Sequence, residues 1–185
     1  MQKKIISAVF ELASVVLGAV IAVTVIFTFL LKPISVRGES MEPTLYENDK
    51  LLVTAVKAHY EYKDIVIVVE PNALYEPIVK RVIATEGQWV DIDYSEGYVY
   101  VGDTPESMER LEEPYTASLT DKIPVEDQHE YPIQVPENCY FVMGDNRNES
   151  TDSRSYRVGF VDENYILGKA MLRIVPFGDF NIYDD

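Results

Sequence analysis

Positions 12–31, LASVVLGAVIAVTVIFTFLL, carry no charged residue, and this stretch limits what the chain can fold into more than any other. As a helix rising about 1.5 Å per residue it spans roughly 30 Å, the thickness of a bilayer's hydrocarbon core. Its backbone satisfies its own hydrogen bonds, so it persists in lipid. A soluble helix apolar on every face does not suit a domain this small. A removable signal peptide has a shorter apolar region, about 7–15 residues, that closes in small residues. This run closes in Phe27, Phe29, Leu30 and Leu31. The stretch therefore reads as a retained transmembrane anchor after a short cytoplasmic tail, residues 1–11. Lys3 and Lys4 precede it while Lys32 and Arg37 follow it, so nearby basic residues do not set its orientation. The size split favours an inside amino terminus with residues 32–185 outside.

Residues 32–185 hold 30 acids and 14 bases, a net charge of −16. Such a surface excludes nucleic acid and anionic headgroups as partners. The single Cys139 excludes an internal disulfide, and its apolar strand makes it a small core residue. His59 and His129 have no partner at metal-ligand spacing. Asp91-x-Asp93-x-Ser95 faintly resembles a calcium loop, but Glu96 stands where glycine is needed and Gly102 where glutamate is. There is no glycine-rich phosphate loop, and no metal or organic cofactor is expected.

Beyond the anchor the chain reads as short strands. The segments 51-LLVTAV-56, 65-IVIVV-69, 78-IVKRVIA-84, 139-CYFVM-143 and 168-GKAMLRIV-175 are rich in β-branched or aromatic residues. Ser95-Glu96-Gly97 turns a hairpin between 89-WVDIDY-94 and 98-YVYV-101. The expected fold is mainly β: an antiparallel catalytic core from residues 32–85 and 136–185, with an inserted β-rich subdomain at 86–135. That insertion holds 13 acids and two bases, a net −11. Keeping the protein soluble is its simplest role.

The chemistry starts at Ser40, in 38-GESMEPTL-45. A serine hydroxyl needs a base to take its proton during attack, and no histidine serves. In 78-IVKRVIA-84 side-chain alternation puts Lys80 on one face with Ile78, Val82 and Ala84. Burial there favours the neutral amine. The drop from about 10.4 to roughly 7–8 that a general base needs costs about 4 kcal/mol. The acidic surroundings oppose it, so burial wins only if the acids stay away from Lys80. Arg81 faces Val79 and Ile83 and does not deprotonate. The polar loop 144-GDNRNESTDSR-154 offers Asp145, Arg147, Asp152 and Arg154 as carboxylate–guanidinium pairs.

Together these stretches resemble the type I signal peptidases, membrane-bound serine–lysine proteases. The resemblance rests on the anchor, 40-SMEPTL-45, 64-DIVIV-68, 79-VKRVIA-84, the 144–154 loop and 168-GKAMLRIVPF-177, in the family's order. A single anchor and a short chain look most like the Gram-positive branch. The resemblance implies Ser40 as nucleophile and Lys80 as general base, with Ser150 bonded to the Lys80 amine. Asp145, Arg147, Asp152 and Arg154 would brace the site, and Met41 and Pro43 would lie near substrate and membrane. The Ser40 N–H would be one oxyanion donor. Part of the family draws a second from a serine two positions upstream, where this chain has Gly38, so that donor stays open. The implied function is removal of signal peptides from exported preproteins after small residues (Ala-x-Ala), beside the lipid bilayer. The alternative is a catalytically silent relative acting as assembly factor or chaperone for surface proteins.

Overall fold

The computed structural model describes residues 2–55, 59–69, 76–121 and 129–176. Val56 and Phe177, assigned above to a strand and to the closing motif, lie outside the described residues. The chain opens with α1 (Gln2–Val25), which runs into a wider π-type turn, Ile26–Leu30. From Val9 to Leu30, 22 residues, the helix is long and apolar enough to cross a membrane and is not buried against the rest of the protein. Residues 2–11, expected as a separate tail, continue the same helix. Leu31, expected to end it, instead starts β1 (Leu31–Ser35) in extended conformation. It pairs with Thr54 of β2 (Lys50–Thr54), and the Ala55 N–H captures the Leu30 carbonyl at 2.8 Å. Strand pairing thus takes the place of the next helical turn.

The rest is antiparallel β structure. β3 (Ile65–Val68), β4 (Ile78–Ala84), β9 (Cys139–Met143), β10 (Val161–Asp162) and β11 (Ile166–Val175) join β1 and β2 in a seven-stranded sheet, ordered β1-β2-β11-β3-β4-β9-β10. Pro33 lies on the edge strand β1, where its missing N–H breaks no inner ladder. A four-stranded sheet, ordered β7-β6-β5-β8, comes from β5 (Trp89–Asp93), β6 (Tyr98–Gly102), β7 (Glu109–Arg110) and β8 (Ile133–Gln134). Each strand expected from β-branched runs forms. The short β7, β8 and β10 carry too few residues to show a period.

The hairpin between β5 and β6 closes as its turn residues require. Asp93 Oδ1 accepts the Ser95 and Glu96 N–H groups at 2.8 and 3.1 Å, and Gly97 takes a φ of +80°. Val90 and Ile92 point into a core that also holds Val99, Ile83, Ala84, Phe141 and Met143. The acidic stretch therefore supplies a second sheet whose apolar side forms one core with β4 and β9. A second core packs Val36, Met41 and Leu45 against Leu51, Val53, Ile65 and Ile67, pinning the Ser40 segment from both sides. Met41, expected near substrate and membrane, is 1% exposed and belongs to this core, because its side chain points inward from the turn. Pro43 is exposed.

Gly168 marks where β11 passes closest to β2. A Cβ there would fall on the Thr54 carbonyl oxygen, with the Thr54 carbonyl carbon at 2.8 Å. β2 has no room to retreat, since it pairs with β1 on its other side. Gly168→Ala is expected to destabilise the protein by about 4 kcal/mol or more. A melting curve in detergent checks this; an unchanged Tm would mean that β11 and β2 can part without loss.

Candidate active site

Ser40 sits in the turn between β1 and β2. Its base is held by Val36 N–H to the Asp49 carbonyl at 2.8 Å, and Leu45 N–H closes onto the Met41 carbonyl at 2.9 Å. Met41 and Leu45 are sunk in the core, and Ser40, just before them, is half-buried. Gly38 takes a φ of +75°, and a Cβ there would meet nothing within 4 Å. A side chain at 38 would have space but a strained backbone.

Lys80 arrives from the sheet. Val79 enters the core under Ser40, while Ile78 and Val82 pack on the opposite side around Val66 and Val142. Alternation thus places Lys80 with Ile78 and Val82 as expected. A bulge between Val82 and Ala84 breaks the pattern, and Ala84 joins Ile83 in the other core. Lys80 is 2% exposed, and its Nζ lies 2.6 Å from Ser40 Oγ.

The 144–154 loop closes the site through two carboxylates. Asp145 accepts Arg81 Nε and Nη2 at 2.8 and 2.6 Å and Thr44 Oγ1 at 2.5 Å, tying strand, serine segment and loop together. Asp152 accepts Arg154 Nε and Nη2 at 2.8 and 2.9 Å, Gly144 N–H at 3.0 Å and Ser150 Oγ at 2.6 Å. The Asn146 N–H donates to the Ser40 carbonyl at 3.0 Å. Thr44, inside the serine segment, therefore shares the Asp145 carboxylate with Arg81.

Burial moves the Lys80 amine toward neutrality. Burial is the largest influence on Lys80 and takes its pKa from 10.5 to about 8; Asp152 and Asp145 pull it upward and Arg154 pulls it down. The acids do not stay away from Lys80, yet burial still wins. They are neutralised instead, Asp145 by Arg81 and Asp152 by Arg154. Burial pushes the Asp152 carboxyl up, but Arg154, Lys80 and the Ser150 hydroxyl hold it below the usual carboxylate range.

Two sequence expectations need correction. The Ser150 hydroxyl donates to Asp152 at 2.6 Å, while the hydrogen bond of the Lys80 amine goes to Ser40. The loop's ions also do not pair only among themselves. Asp152 takes Arg154, but Asp145 takes Arg81 and Arg147 takes Glu113 of the acidic stretch. Composition missed Arg81, Glu113 and Thr44 as site residues. One signal was legible: an arginine in a strand as apolar as 78–84 must find a buried carboxylate. His129 was also missed. Its Nε2 lies 3.1 Å from the Ser153 carbonyl in the loop, and its ring meets Tyr131 and Phe160.

Comparison with known proteins completes the description. Residues 9–175 match the family described as "Signal peptidase, peptidase S26". The chain belongs to the S26 signal peptidase family. The peptidase is 34% identical to the signal peptidase I of Bacillus amyloliquefaciens over 94% of this chain and 91% of that one. It is 30% identical to the signal peptidase IB of Staphylococcus aureus (strain Mu50) over 92% of this chain and 93% of that one. A solved signal peptidase I from Enterococcus faecalis overlaps it with a TM-score of 0.45 at 26% identity, over 62% of this chain and 98% of that one, too loosely to bear on the site. The peptidase is thus a hydrolase of the serine peptidase class.

Proposed function

We propose that this peptidase is a membrane-anchored serine–lysine endopeptidase that removes amino-terminal signal peptides from exported preproteins, cutting after small residues of the Ala-x-Ala type. One observation carries the reading: a buried amine with a pKa of about 8 lies 2.6 Å from Ser40 Oγ. That is hydrogen-bond reach for a general base, with a pKa near the working pH.

In this mechanism neutral Lys80 takes the hydroxyl proton as Ser40 Oγ attacks the scissile carbonyl carbon. The carbonyl electron pair moves onto oxygen, met by the Ser40 N–H. When the tetrahedral adduct collapses, the C–N bond breaks and the leaving amine takes the proton from the Lys80 ammonium. Lys80 then deprotonates a water that attacks the acyl ester, and the proton passes on to Ser40 Oγ as the new carboxyl end departs. Asp145, Arg147, Asp152, Arg154 and Ser150 brace this geometry.

The sheet supports an extended substrate. Ile78–Arg81 of β4 pair with β3, but among the described residues the other side of β4 is joined, by β9, only from Arg81 onward. A peptide adding as a strand to that open edge would run alongside Lys80. Shallow pockets that exclude bulk would then select small residues. Val9–Leu30 would span the bilayer with the amino terminus cytoplasmic, as in a Gram-positive cell, leaving the β core of residues 32–85 and 136–185 outside and the 86–135 stretch inserted in it. Ser40 lies at most roughly 30 Å of chain from the end of the helix, so enzyme and substrate held in one membrane meet at high effective concentration.

The test uses protein purified in detergent–lipid micelles with a preprotein whose signal ends in Ala-x-Ala, and sequences the product's amino terminus. A cut after the alanine, lost in Ser40→Ala, is expected. Because Lys80 must be neutral, kcat/KM should rise with pH through about 8 and level off above it. Absence of any cut defeats the reading, and a flat profile across that range excludes Lys80 as the base.

A further inference from the structure

The acidic stretch reaches into the buried ion cluster beside the serine and lysine. Lys80, Arg81, Arg147 and Arg154 are each no more than 2% exposed. Asp145 and Asp152 answer Arg81 and Arg154. The third carboxylate, for Arg147, comes from far outside the loop. Glu113 accepts Arg147 Nη1 at 2.8 Å on one oxygen and Nη2 on the other, and Thr120 Oγ1 takes Nη1 at 3.1 Å. With Lys80 neutral, the three guanidiniums and three carboxylates balance.

Two residues beyond Glu113, the Tyr115 ring lies over Arg81, whose Cζ is 3.9 Å from its centroid, and Arg147 Cζ approaches the same ring at 5.9 Å. The Tyr115 hydroxyl donates to Glu113 Oε1 at 3.1 Å and lies 3.2 Å from the Tyr62 hydroxyl. Burial pushes this phenol far above its ordinary value, so it stays protonated and a donor. The two arginines belong to different parts of the site. Arg81 directly follows Lys80 on β4. Arg147 holds the Gly144 carbonyl through Nε at 3.1 Å, and its own carbonyl accepts Arg154 Nη2 at 2.6 Å.

We infer that Glu113 and Tyr115 are positioning residues, a clamp from the acidic stretch that holds the Lys80 strand and the 144–154 loop in register around Ser40. This goes beyond a solubilising role for the stretch, and it rests on the peptidase reading above. Without the Glu113 carboxylate a buried guanidinium is left uncompensated. Arg147 then turns toward water and releases the Gly144 carbonyl, and with it the backbone that packs on Ser40.

The experiment measures kcat and KM of the full chain in micelles on the same preprotein, with circular dichroism as the check of folding. Glu113→Gln keeps the shape and removes the charge. It is expected to lower kcat by about 10²-fold, the effect of an ångström-scale misplacement, while KM stays within about twofold, since Glu113 acts through Arg147 and not on the substrate. Tyr115→Phe keeps the ring over Arg81 and loses only the hydroxyl; it folds even where Glu113→Gln does not, and kcat should fall by about tenfold. Arg147→Gln combined with Glu113→Gln should lose no more than the worse single change, as members of one unit do. Unchanged kcat in either folded single variant, a loss confined to KM, or fully additive losses would overturn the clamp. A wild-type protein that cuts nothing overturns the peptidase reading instead.

Discussion

Lys80→Arg is expected to lower cleavage by about four orders of magnitude or more while leaving the protein folded. A guanidinium stays protonated at any practical pH and so has no lone pair to take the Ser40 proton. Lys80→Met should lose activity as fully, yet make the protein more stable. The native amine has a pKa of about 8 against 10.5 for an unburied one. Between those values the unfolded chain holds a proton that the folded chain does not, so this group's contribution to stability rises with pH across that window. Below about pH 8 it is a constant penalty of roughly 3 kcal/mol. Removing the amine at pH 7 relieves much of that penalty, and Tm should rise. Substantial turnover by Lys80→Arg would remove Lys80 as base. A Lys80→Met variant no more stable than wild type would show that burial is not what depresses the amine.

Gly144→Ala should cost about 10²-fold in kcat with the fold kept. A Cβ at 144 would strike both Ser150 Oγ and the Ser40 carbonyl oxygen, and would lie 2.7 Å from Ser150 Cβ. Neither neighbour can yield freely. The Ser40 carbonyl is fixed by the Asn146 N–H at 3.0 Å, and Ser150 Oγ is fixed to Asp152 at 2.6 Å. The methyl therefore moves either the nucleophile's backbone or the Ser150–Asp152 pair, which lies beside Lys80. Rates compared with Tm decide it: a wild-type kcat in Gly144→Ala would mean that the loop and the serine segment are not in rigid contact.

The strands expected at residues 65–69, 78–84 and 139–143 form within a residue or so of those bounds, because β-branched runs bounded by turn residues state their conformation locally. The hairpin at 94–97 was equally legible, since Asp93 and Gly97 each supply what a tight turn needs. Less legible was the end of the anchor. Leu31 is as apolar as the residues before it, and its departure from the helix depends on β2, about twenty residues on. The direction of Met41 was hidden for a similar reason: a residue beside a serine in a turn can face either way, and only the surrounding core turns it inward.

For the candidate site, the residue types were readable and their pairing was not. Ser40 and Lys80 stood out because a serine without a usable histidine points to an amine in an apolar strand. An all-apolar span, a period-2 pattern and a desolvated lysine follow from near neighbours along the chain, and the sequence by itself determines those. Which carboxylate meets which guanidinium follows from contacts between residues far apart. Lys80 and Ser40 are 40 positions apart, Arg81 and Asp145 are 64, and Arg147 and Glu113 are 34. Several acids could have answered each arginine at equal charge. Only the tertiary structure chose among them, because in a dry interior the pair that forms is the one the packed strands bring within hydrogen-bond reach.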